Sequence, residues 1–274
     1  MMTEAIFVLS YKRGDRLCRT KGSLNYISQD WKDRTFLVVR EEESSSYVRA
    51  CEMYGVRKIH IPTAVTEKDP VFDWSNTMDF ILERIAIEAD DFDSVVLMDD
   101  DLTIGHRLDL SSSKASAVTR EEFNDLMDKL LPRPYEVPIA GIIPRGFSHA
   151  INTRELRNKS IAGMFALNVK FFKEHPQYRF FDERARFMGD RLMCLRTLGD
   201  GIENVAYAEF THDSVTNTEG GCSSHRTKEN HSYSAVNMKK MFPDLVDIRV
   251  KTNLGDTRLD LHIDWLKAFK GKTS

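Results

Sequence analysis

Four short apolar runs alternate with helical patterns in the first half of this 274-residue chain. Each run has four or five nearly continuous residues rich in β-branched side chains, which is typical of strands covered by helices on both faces. The runs lie at 6–9, 36–39, 58–61 and 94–98. Their alternation with helices predicts a βαβαβ unit, whose parallel strands bind ligands at their carboxyl ends.

Two helical patterns connect these strands. Residues 47–54 are followed by Gly55, a typical residue just beyond a helix C-terminus. The second pattern lies between the third and fourth strands and recurs at the spacing of one helix face. Its apolar members are Met78, Ile81, Leu82, Ile85, Ala86 and Ala89.

The second half is predicted to continue this mixed architecture. Thr119 and Glu122 form a capping box for a helix that runs to about Leu131. Strand candidates follow at 139–143, 164–169 and 206–210. The second half shows no boundary in its apolar pattern that would mark an independent domain. We therefore expect a single domain over 1–274, with a nucleotide-binding half (1–104) and an acceptor-side half (105–274).

The composition excludes several function classes. Lys and Arg number 39 against 42 Asp and Glu, for a net charge of −3, so nucleic acid would need a local basic patch. The four cysteines form no CxxC pair, which argues against a structural zinc site or a disulfide scaffold and favours a reducing compartment. No apolar run approaches the ~20 residues of a membrane span. We therefore expect a cytoplasmic protein (in the host cytoplasm if viral) with no membrane partner.

Familiar nucleotide-binding and hydrolytic motifs are absent. No GxGxxG follows the first strand, and the sequence holds neither HExxH nor GxSxG. The GKT at 271–273 imitates the end of a P-loop, but Leu266 occupies the place of its first glycine. The sequence therefore favours none of the activities that these motifs support.

The feature that carries chemistry is the acidic triplet Asp99-Asp100-Asp101, directly after the fourth strand. Adjacent carboxylates repel one another unless a cation neutralises them. Asp99 and Asp101 alternate with Asp100, so we expect them to project to the same side of an extended chain. Two hard oxygen donors suit Mg²⁺ or Mn²⁺, with other positions left for phosphate oxygens. The alternative interpretation is a solvated acidic turn.

An apolar strand that runs into Asp-x-Asp at the end of a βαβαβ half resembles the GT-A glycosyltransferases. Downstream, Phe181-Asp182-Glu183 and the run Met-Gly-Asp-Arg-Leu at 188–192 resemble the acidic element that this family places near the acceptor. Within the family, the chain looks most like the phage DNA-base glycosyltransferases associated with TET/JBP-type oxygenases. That likeness is carried by Ser-Tyr-Lys-Arg at 10–13, the triplet, Gly189-Asp190 and the glycine-rich stretch 220–226. The resemblance covers about 5–215.

The resemblance implies an α/β fold, a GT-A-like Rossmann-type mixed sheet flanked by helices. It implies a nucleotide-sugar donor, which we expect to be a UDP-sugar, with Mn²⁺ or Mg²⁺ as the cofactor. It implies that the acceptor is a hydroxymethylated pyrimidine base in DNA. Three alternatives stay open: a carbohydrate or small-molecule acceptor, nucleotidyl transfer, and a degenerate domain that binds nucleic acid without catalysis.

The resemblance also assigns roles around the metal. Asp99 and Asp101 would ligate the metal. Asp99 and Asp100 would also face the nucleotide, where Asp100 would contact the ribose or lie behind the two metal ligands. His212 would complete the metal shell, with His225 and His231 as rivals. Any one of these histidines is also compatible with an ordinary core or loop position.

Asp190 is the candidate base for the acceptor hydroxyl, with Glu183 or Asp182 as substitutes. An aspartate in a first helical turn also stabilises the helix dipole without any chemistry. The choice between these interpretations depends on what surrounds the carboxylate in the folded chain.

Basic and aromatic residues complete the predicted site. Tyr11, Arg13 and Arg40 follow the first two strands and would hold the nucleotide, while Arg226 and Lys228 would close over the diphosphate. We expect a local patch of basic residues to bind the phosphates of the acceptor DNA. Its members are Arg145, Arg154, Arg157 and Lys159. The alternative interpretation of all these residues is a solvated polar surface.

Overall fold

The computed structural model describes residues 3–19, 22–63, 74–87, 92–214, 226–253 and 256–269. The four predicted strands are present and form one parallel unit. They are β1 (Glu4–Leu9), β2 (Thr35–Arg40), β3 (Arg57–Ile61) and β4 (Ser94–Asp99). Their order is β3-β2-β1-β4, and each neighbouring pair is parallel.

The sheet continues from β4 with strands of both directions. They are β5 (Leu102–His106), β6 (Ser116–Ala117), β7 (Ile139–Pro144), β8 (Glu155–Arg157), β9 (Met164–Asn168) and β10 (Asn204–Ser214). The full order is β3-β2-β1-β4-β9-β7-β10-β5-β6, with β8 also paired to β10. Strand β9 is antiparallel to both neighbours, whereas β10 is parallel to β7 and antiparallel to β5. The predicted mixed α/β sheet is therefore confirmed.

Helices cover this sheet. The α-helices in chain order are α1 (Gly14–Leu17), α2 (Gln29–Lys32), α3 (Val48–Tyr54), α4 (Trp74–Phe80), α5 (Arg120–Leu130), α6 (Val169–Glu174), α7 (Gly189–Gly199), α8 (Lys228–Met241) and α9 (Trp265–Ala268). The 3₁₀ segments include Ser23–Tyr26, Glu41–Tyr47, Arg145–Ala150 and Glu183–Met188. None of the helices in the described ranges is long and apolar enough to cross a membrane.

Three local predictions about helices can be compared with the structure. The capping box of Thr119 and Glu122 is formed in full at the start of α5. Gly55 ends α3 with φ of +66°, the left-handed conformation that glycine adopts without strain. The continuous helix predicted from Met78 is wrong in detail, because α4 gives way to a π-helix (Ile81–Ile87). Ala89, the last member of that pattern, lies outside the described residues.

Alternate residues of each central strand pack into two different cores, one on each side of the sheet. Ala5, Phe7 and Leu9 belong to one cluster, and Ile6 and Val8 belong to the other. All five are buried. This two-sided burial is the physical reason that the strand sequences are apolar without alternation.

A third apolar cluster joins α7 to the last part of the chain. Its members come from the 3₁₀ segment Glu183–Met188, from α7, α8 and α9, and from a hairpin of β11 (Val246–Asn253) and β12 (Asp256–Ile263). The hairpin is also tied to α7 by Asp260, whose carboxylate lies 3.0 Å from Arg191. Helix α7, which carries Asp190 in its first turn, is therefore packed between the main sheet and this hairpin.

Candidate active site

The acidic triplet forms a turn held by a serine. Strand β4 ends at Asp99, and Asp100 and Asp101 form the turn into β5. The Ser23 amide donates to the Asp100 carbonyl at 3.0 Å, and the Leu102 amide donates to the Ser23 hydroxyl at 3.2 Å. The expectation that Asp99 and Asp101 alternate along an extended chain is therefore wrong, because the extended chain ends at Asp99.

Arg13 neutralises the buried part of the triplet. Its guanidinium lies 2.5 Å from an Asp100 oxygen and 3.0 Å from an Asp101 oxygen. The other Asp100 oxygen accepts from the Ser10 hydroxyl. Burial raises the pKa of Asp100, which is 1% exposed, and Arg13 and Ser10 oppose that rise. Both Asp100 oxygens are thus occupied by protein donors. This favours a role for Asp100 behind the proposed metal ligands over direct contact with the ribose.

Tyr47, a residue that the motif analysis did not single out, supports this arrangement from below. Its hydroxyl accepts from the Arg13 amide at 3.0 Å and lies 3.0 Å from the Ser10 hydroxyl. The side chain is fully buried, and burial raises its pKa, so it stays neutral. A lone tyrosine at the start of a helical pattern carries no motif, so only its position beside β1 in the folded chain reveals the role.

The predicted nucleotide-binding residues meet at the same sheet edge. In the β1–β4 register Leu9 lies opposite Asp99, so the residues that follow β1 stand beside the triplet. The Arg40 guanidinium lies 4.1 Å from the centre of the Tyr11 ring, and the Lys12 ammonium lies 5.0 Å from it. Tyr11, Arg13 and Arg40 are therefore brought together, and their roles toward a nucleotide remain predictions.

A short segment, 161–163, connects three parts of the candidate site. The Gly163 carbonyl accepts from the Asp99 amide at 3.2 Å. Gly163 has φ of +72°, and a Cβ there would lie 2.7 Å from the ring of His212. The Ile161 carbonyl accepts from the Cys194 thiol of α7 at 3.9 Å. The end of β4, the His212 ring and α7 thus converge on these three residues.

His212 is buried with unused ring nitrogens. It is 7% exposed, and neither nitrogen makes a well-formed hydrogen bond with a described residue. Burial lowers its pKa to about 4, and Asp213 and the nearby Ala162 backbone only partly offset this effect. The ring is therefore neutral and has a lone pair to give. Of its rivals, His231 is part of α8 and lies 3.5 Å from the Asp260 carboxylate, and His225 lies outside the described residues.

Asp99, Asp101 and His212 carry atoms of the kinds that can bind a divalent metal. Carboxylate oxygen and neutral imidazole are both suitable donors for Mn²⁺. An orphaned, buried imidazole is the observation that a metal would explain. Within the described ranges, no three His, Cys, Asp or Glu side chains already stand together as a metal cage. Such a site would leave positions for phosphate oxygens.

Among the candidate bases, Asp190 has the most suitable surroundings. It lies partly buried in the first turn of α7, and its carboxylate makes no hydrogen bond with any described residue. Glu183 is exposed in the 3₁₀ segment before α7. Asp182 is bound by Arg184 at 2.8 Å and Arg196 at 2.6 Å, and the hydrogen bonds and charge of Arg184 lower its pKa to about 2. That ion pairing makes Asp182 a poor base.

The predicted acceptor-binding cations are paired and spread out. Arg145 contacts Asp213 at 3.2 Å, Arg154 contacts Glu209 at 3.8 Å, and Arg157 contacts Glu203 at 3.0 Å. The Lys159 backbone is held by the Asn204 side chain.

The register shows how far apart these cations lie. Arg157 lies opposite Val205, eight positions along β10 from Asp213, which corresponds to at most about 26 Å at the rise of a regular strand. The expectation of one local basic patch is therefore not met, although contact of each residue with an acceptor remains a prediction.

The two cations of the predicted closing loop lie at the start of α8. Arg226 is exposed, and its guanidinium lies 6.0 Å from the centre of the Phe187 ring. Lys228 is the first residue of α8. Most of the glycine-rich stretch before them, from 220 to 225, lies outside the described residues. Closure over a diphosphate therefore stays a prediction.

Asp79 positions the segment that precedes Asp190. Its carboxylate accepts from the backbone amides of Phe180 and Phe181, at 2.9 and 2.6 Å. Burial raises its pKa to about 7, and these two hydrogen bonds oppose the rise. Sequence reasoning missed this residue, although an acidic side chain directly after buried Met78 was a usable signal.

Asp79→Asn is expected to flatten the pH dependence of stability. The pKa in the folded protein, about 7, lies above the ordinary 3.8. The proton therefore favours folding below pH 3.8, and that contribution is lost as the pH rises through 7. After allowance for partial exposure, the difference between wild type and variant should change by about 2 kcal/mol over this range. Urea unfolding at several pH values measures it, with exposed Asp125→Asn as control, and parallel curves for wild type and Asp79→Asn would contradict the assignment.

Comparison with known proteins is informative at the level of the family. The family model of TET-associated glycosyltransferases matches residues 4–221. No curated protein matches the chain.

Solved structures offer distant likenesses. Mouse xyloside xylosyltransferase 1 in its apo form is 14% identical over 63% of this chain and 70% of that chain, with a TM-score of 0.34. The 4-diphosphocytidyl-2C-methyl-D-erythritol synthase of Anaerococcus prevotii is 9% identical over 86% and 96%, with a TM-score of 0.40. The inositol-1-phosphate CTP transferase of T. maritima is 11% identical over 87% and 97%, with a TM-score of 0.41.

Likenesses at these TM-scores say nothing about activity, whereas the family match spans most of the chain and includes the triplet, His212 and Asp190. The chain belongs to the family of TET-associated glycosyltransferases.

Proposed function

We propose that this glycosyltransferase uses Mn²⁺ or Mg²⁺ to move a sugar from a UDP-sugar to a hydroxymethylated pyrimidine in DNA. The observation that carries the proposal is the convergence on segment 161–163 of the β4 carboxylates, the His212 ring and helix α7 with Asp190. The proposed donor site and the helix that carries the candidate base would thereby be joined through three consecutive residues. Such a junction suits a reaction in which the acceptor attacks a donor held beside the metal.

Asp99, Asp101 and His212 would hold the metal. Bound there, it would neutralise the negative charge that develops on the departing diphosphate. Arg13 leaves the Asp100 charge compensated, so Asp101 can turn to a metal without exposing an unpaired buried carboxylate. The arrangement therefore supports a metal site with Asp100 as its buried support.

The nucleotide would occupy the carboxyl edge of β1, β2 and β4. The Tyr11 ring offers a flat surface for the base, and Arg40 is already held against it. Arg40 adds a guanidinium that suits a diphosphate, whereas the Arg13 guanidinium is already paired with Asp100 and Asp101. Arg226 and Lys228 would add charge from the start of α8.

Asp190 would accept the proton from the acceptor hydroxyl. Its position in the first turn of α7 favours the ionised carboxylate through the helix dipole. No described residue hydrogen-bonds to the carboxylate, so none of them competes with the acceptor hydroxyl for it. Exposed Glu183 lies in the adjoining 3₁₀ segment and is the substitute.

DNA is the acceptor that the family resemblance favours, since its members sugar-modify hydroxymethylated pyrimidines. Arg145, Arg154, Arg157 and Lys159 would then contact phosphates at separate points along β10. Three of these cations already have carboxylate partners, so each contact would exchange one ion pair for another. Affinity would therefore fall only modestly with salt for each contact.

The test is release of UDP from a UDP-sugar in the presence of hydroxymethylcytosine DNA, with Mn²⁺, with Mg²⁺ and with EDTA. We expect UDP release that needs metal, with a matching mass increase of the DNA. UDP release with a carbohydrate or small hydroxyl compound, but never with DNA, would overturn the acceptor. In a parallel reaction that supplies a nucleoside triphosphate and a sugar phosphate instead of the UDP-sugar, release of pyrophosphate would indicate nucleotidyl transfer. No turnover of any donor would indicate a binding domain.

A further inference from the structure

Two surface segments next to the candidate site are tied together by a buried arginine. One is the loop 107–115 between β5 and β6, and the other is segment 145–151 after β7. The Arg107 guanidinium donates to the Leu110 carbonyl of its own loop and to the Ile151 carbonyl of the other segment, both at 2.7 Å. It also donates to the Ala208 carbonyl of β10 at 2.9 Å. Arg107 is 2% exposed, so these carbonyl oxygens accept the hydrogen bonds that water would accept from an exposed guanidinium. The same hydrogen bonds hold both segments to the sheet.

A second arginine joins the same segments at their other ends. Arg145 donates to the Ala115 carbonyl at 2.8 Å and contacts Asp213, the neighbour of His212. Pro144, which precedes it, lies opposite His212 in the β7–β10 register. The two braced segments are therefore continuous with the candidate active site.

This braced structure exposes two large apolar side chains. Leu108 in the loop is 79% exposed, and Phe147 in the other segment is 64% exposed. The backbone beside Phe147 is held, because Ser148 is fully buried and its hydroxyl donates to the Arg145 carbonyl at 2.8 Å. A phenylalanine on a held backbone that contributes so little to the core is available to a ligand.

Positive charge lies on the same two segments. Lys114 is exposed and makes no ion pair with a described residue, and Arg145 is 43% exposed. The Asp109 carboxylate of the loop accepts hydrogen bonds from the Ser111 amide and hydroxyl. An exposed aromatic ring and cations on the same joined segments are the combination that binds unpaired nucleobases through stacking and phosphates through charge.

We propose that Phe147 is a stacking platform for a nucleobase of the acceptor strand, with Lys114 and Arg145 contacting the adjoining phosphates. Leu108 adds an apolar contact from the other segment. The target base must leave the duplex stack to reach a sugar donor, and an aromatic surface beside the site lowers the cost of that displacement. This inference rests on the proposed DNA acceptor and adds the residue that would hold a displaced base.

The test is binding of a short fluorescein-labelled single-stranded oligonucleotide that carries one hydroxymethylcytosine. Phe147→Ala should weaken binding by about 5- to 150-fold, the range for the loss of one base–aromatic stack. Phe147→Trp should restore it, since the larger ring also stacks. The matched control is Leu266→Ala in α9, because Leu266 is 81% exposed and lies outside both segments. In transfer assays Phe147→Ala should raise the KM for DNA and leave the KM for the UDP-sugar unchanged.

Different outcomes separate this inference from the proposed function. If wild type transfers sugar to DNA and Phe147→Ala binds and transfers equally well, the stacking platform is wrong and the function stands. If wild type turns over a UDP-sugar with metal but neither binds nor modifies DNA, both the DNA acceptor and the platform are overturned. Equal losses in Phe147→Ala and Leu266→Ala would also overturn the platform, because exposure alone would then explain the effect.

Discussion

Asp101→Ala is expected to abolish metal-dependent sugar transfer while the fold stays intact. Asp101 is the carboxylate of the Arg13 pair that reaches solvent, with its side chain 13% exposed, whereas Asp100 is enclosed. Loss of a metal ligand removes stabilisation of the leaving diphosphate worth about 4 kcal/mol, or roughly 10³-fold in rate. Stability should hold or rise, because one repulsive carboxylate is gone and Arg13 still compensates Asp100.

The measurement is UDP release at limiting and saturating Mn²⁺, together with urea unfolding of the same protein. The control is Glu121→Ala, which removes an exposed carboxylate from the first turn of α5 and should change neither quantity appreciably. Normal turnover of Asp101→Ala at limiting Mn²⁺ would remove Asp101 from the metal site. Unfolding of the variant would show instead that the Arg13–Asp101 contact is structural.

Asp190→Asn is expected to slow the chemical step by about 10²–10⁴-fold, the usual contribution of a general base. The amide keeps the shape of the side chain but cannot accept the acceptor's proton. Donor affinity should be unchanged, since the carboxylate lies on α7 and the nucleotide edge is formed by β1, β2 and β4. If the reaction proceeds with retention at the sugar, the effect becomes smaller.

Single-turnover rates and calorimetric donor titration measure the two parts separately. A donor affinity that collapses together with the rate would place Asp190 in the donor site. The comparison variant is Glu183→Gln, which makes the same chemical change in the adjoining 3₁₀ segment. A large loss in Glu183→Gln with a normal Asp190→Asn would transfer the role of base to Glu183.

The strands were predictable from the sequence where helices bury both faces of the sheet. The strands β1, β2 and β4 are covered on both faces, so their apolar runs are continuous and their ends are readable within a few residues. The transition to a π-helix at Ile81 was not readable, because both helix types keep a similar apolar stripe. The antiparallel insertion of β9 between β4 and β7 was also unreadable, since pairing partners are set by contacts far apart in sequence.

The candidate site likewise has some features that the sequence predicts and others that depend on long-range contacts. The pattern of strands and helices was enough to predict that Tyr11, Arg13, Arg40 and the acidic triplet lie together, because parallel strands in a βαβ unit must bring their carboxyl ends to one edge. Three other features became visible only in the folded chain. Arg13 is paired with Asp100, three of the four predicted acceptor cations have carboxylate partners, and segment 161–163 joins His212 to Asp99 and α7. These contacts depend on the register and order of strands from both halves of the chain, and residue spacing carries no information about them.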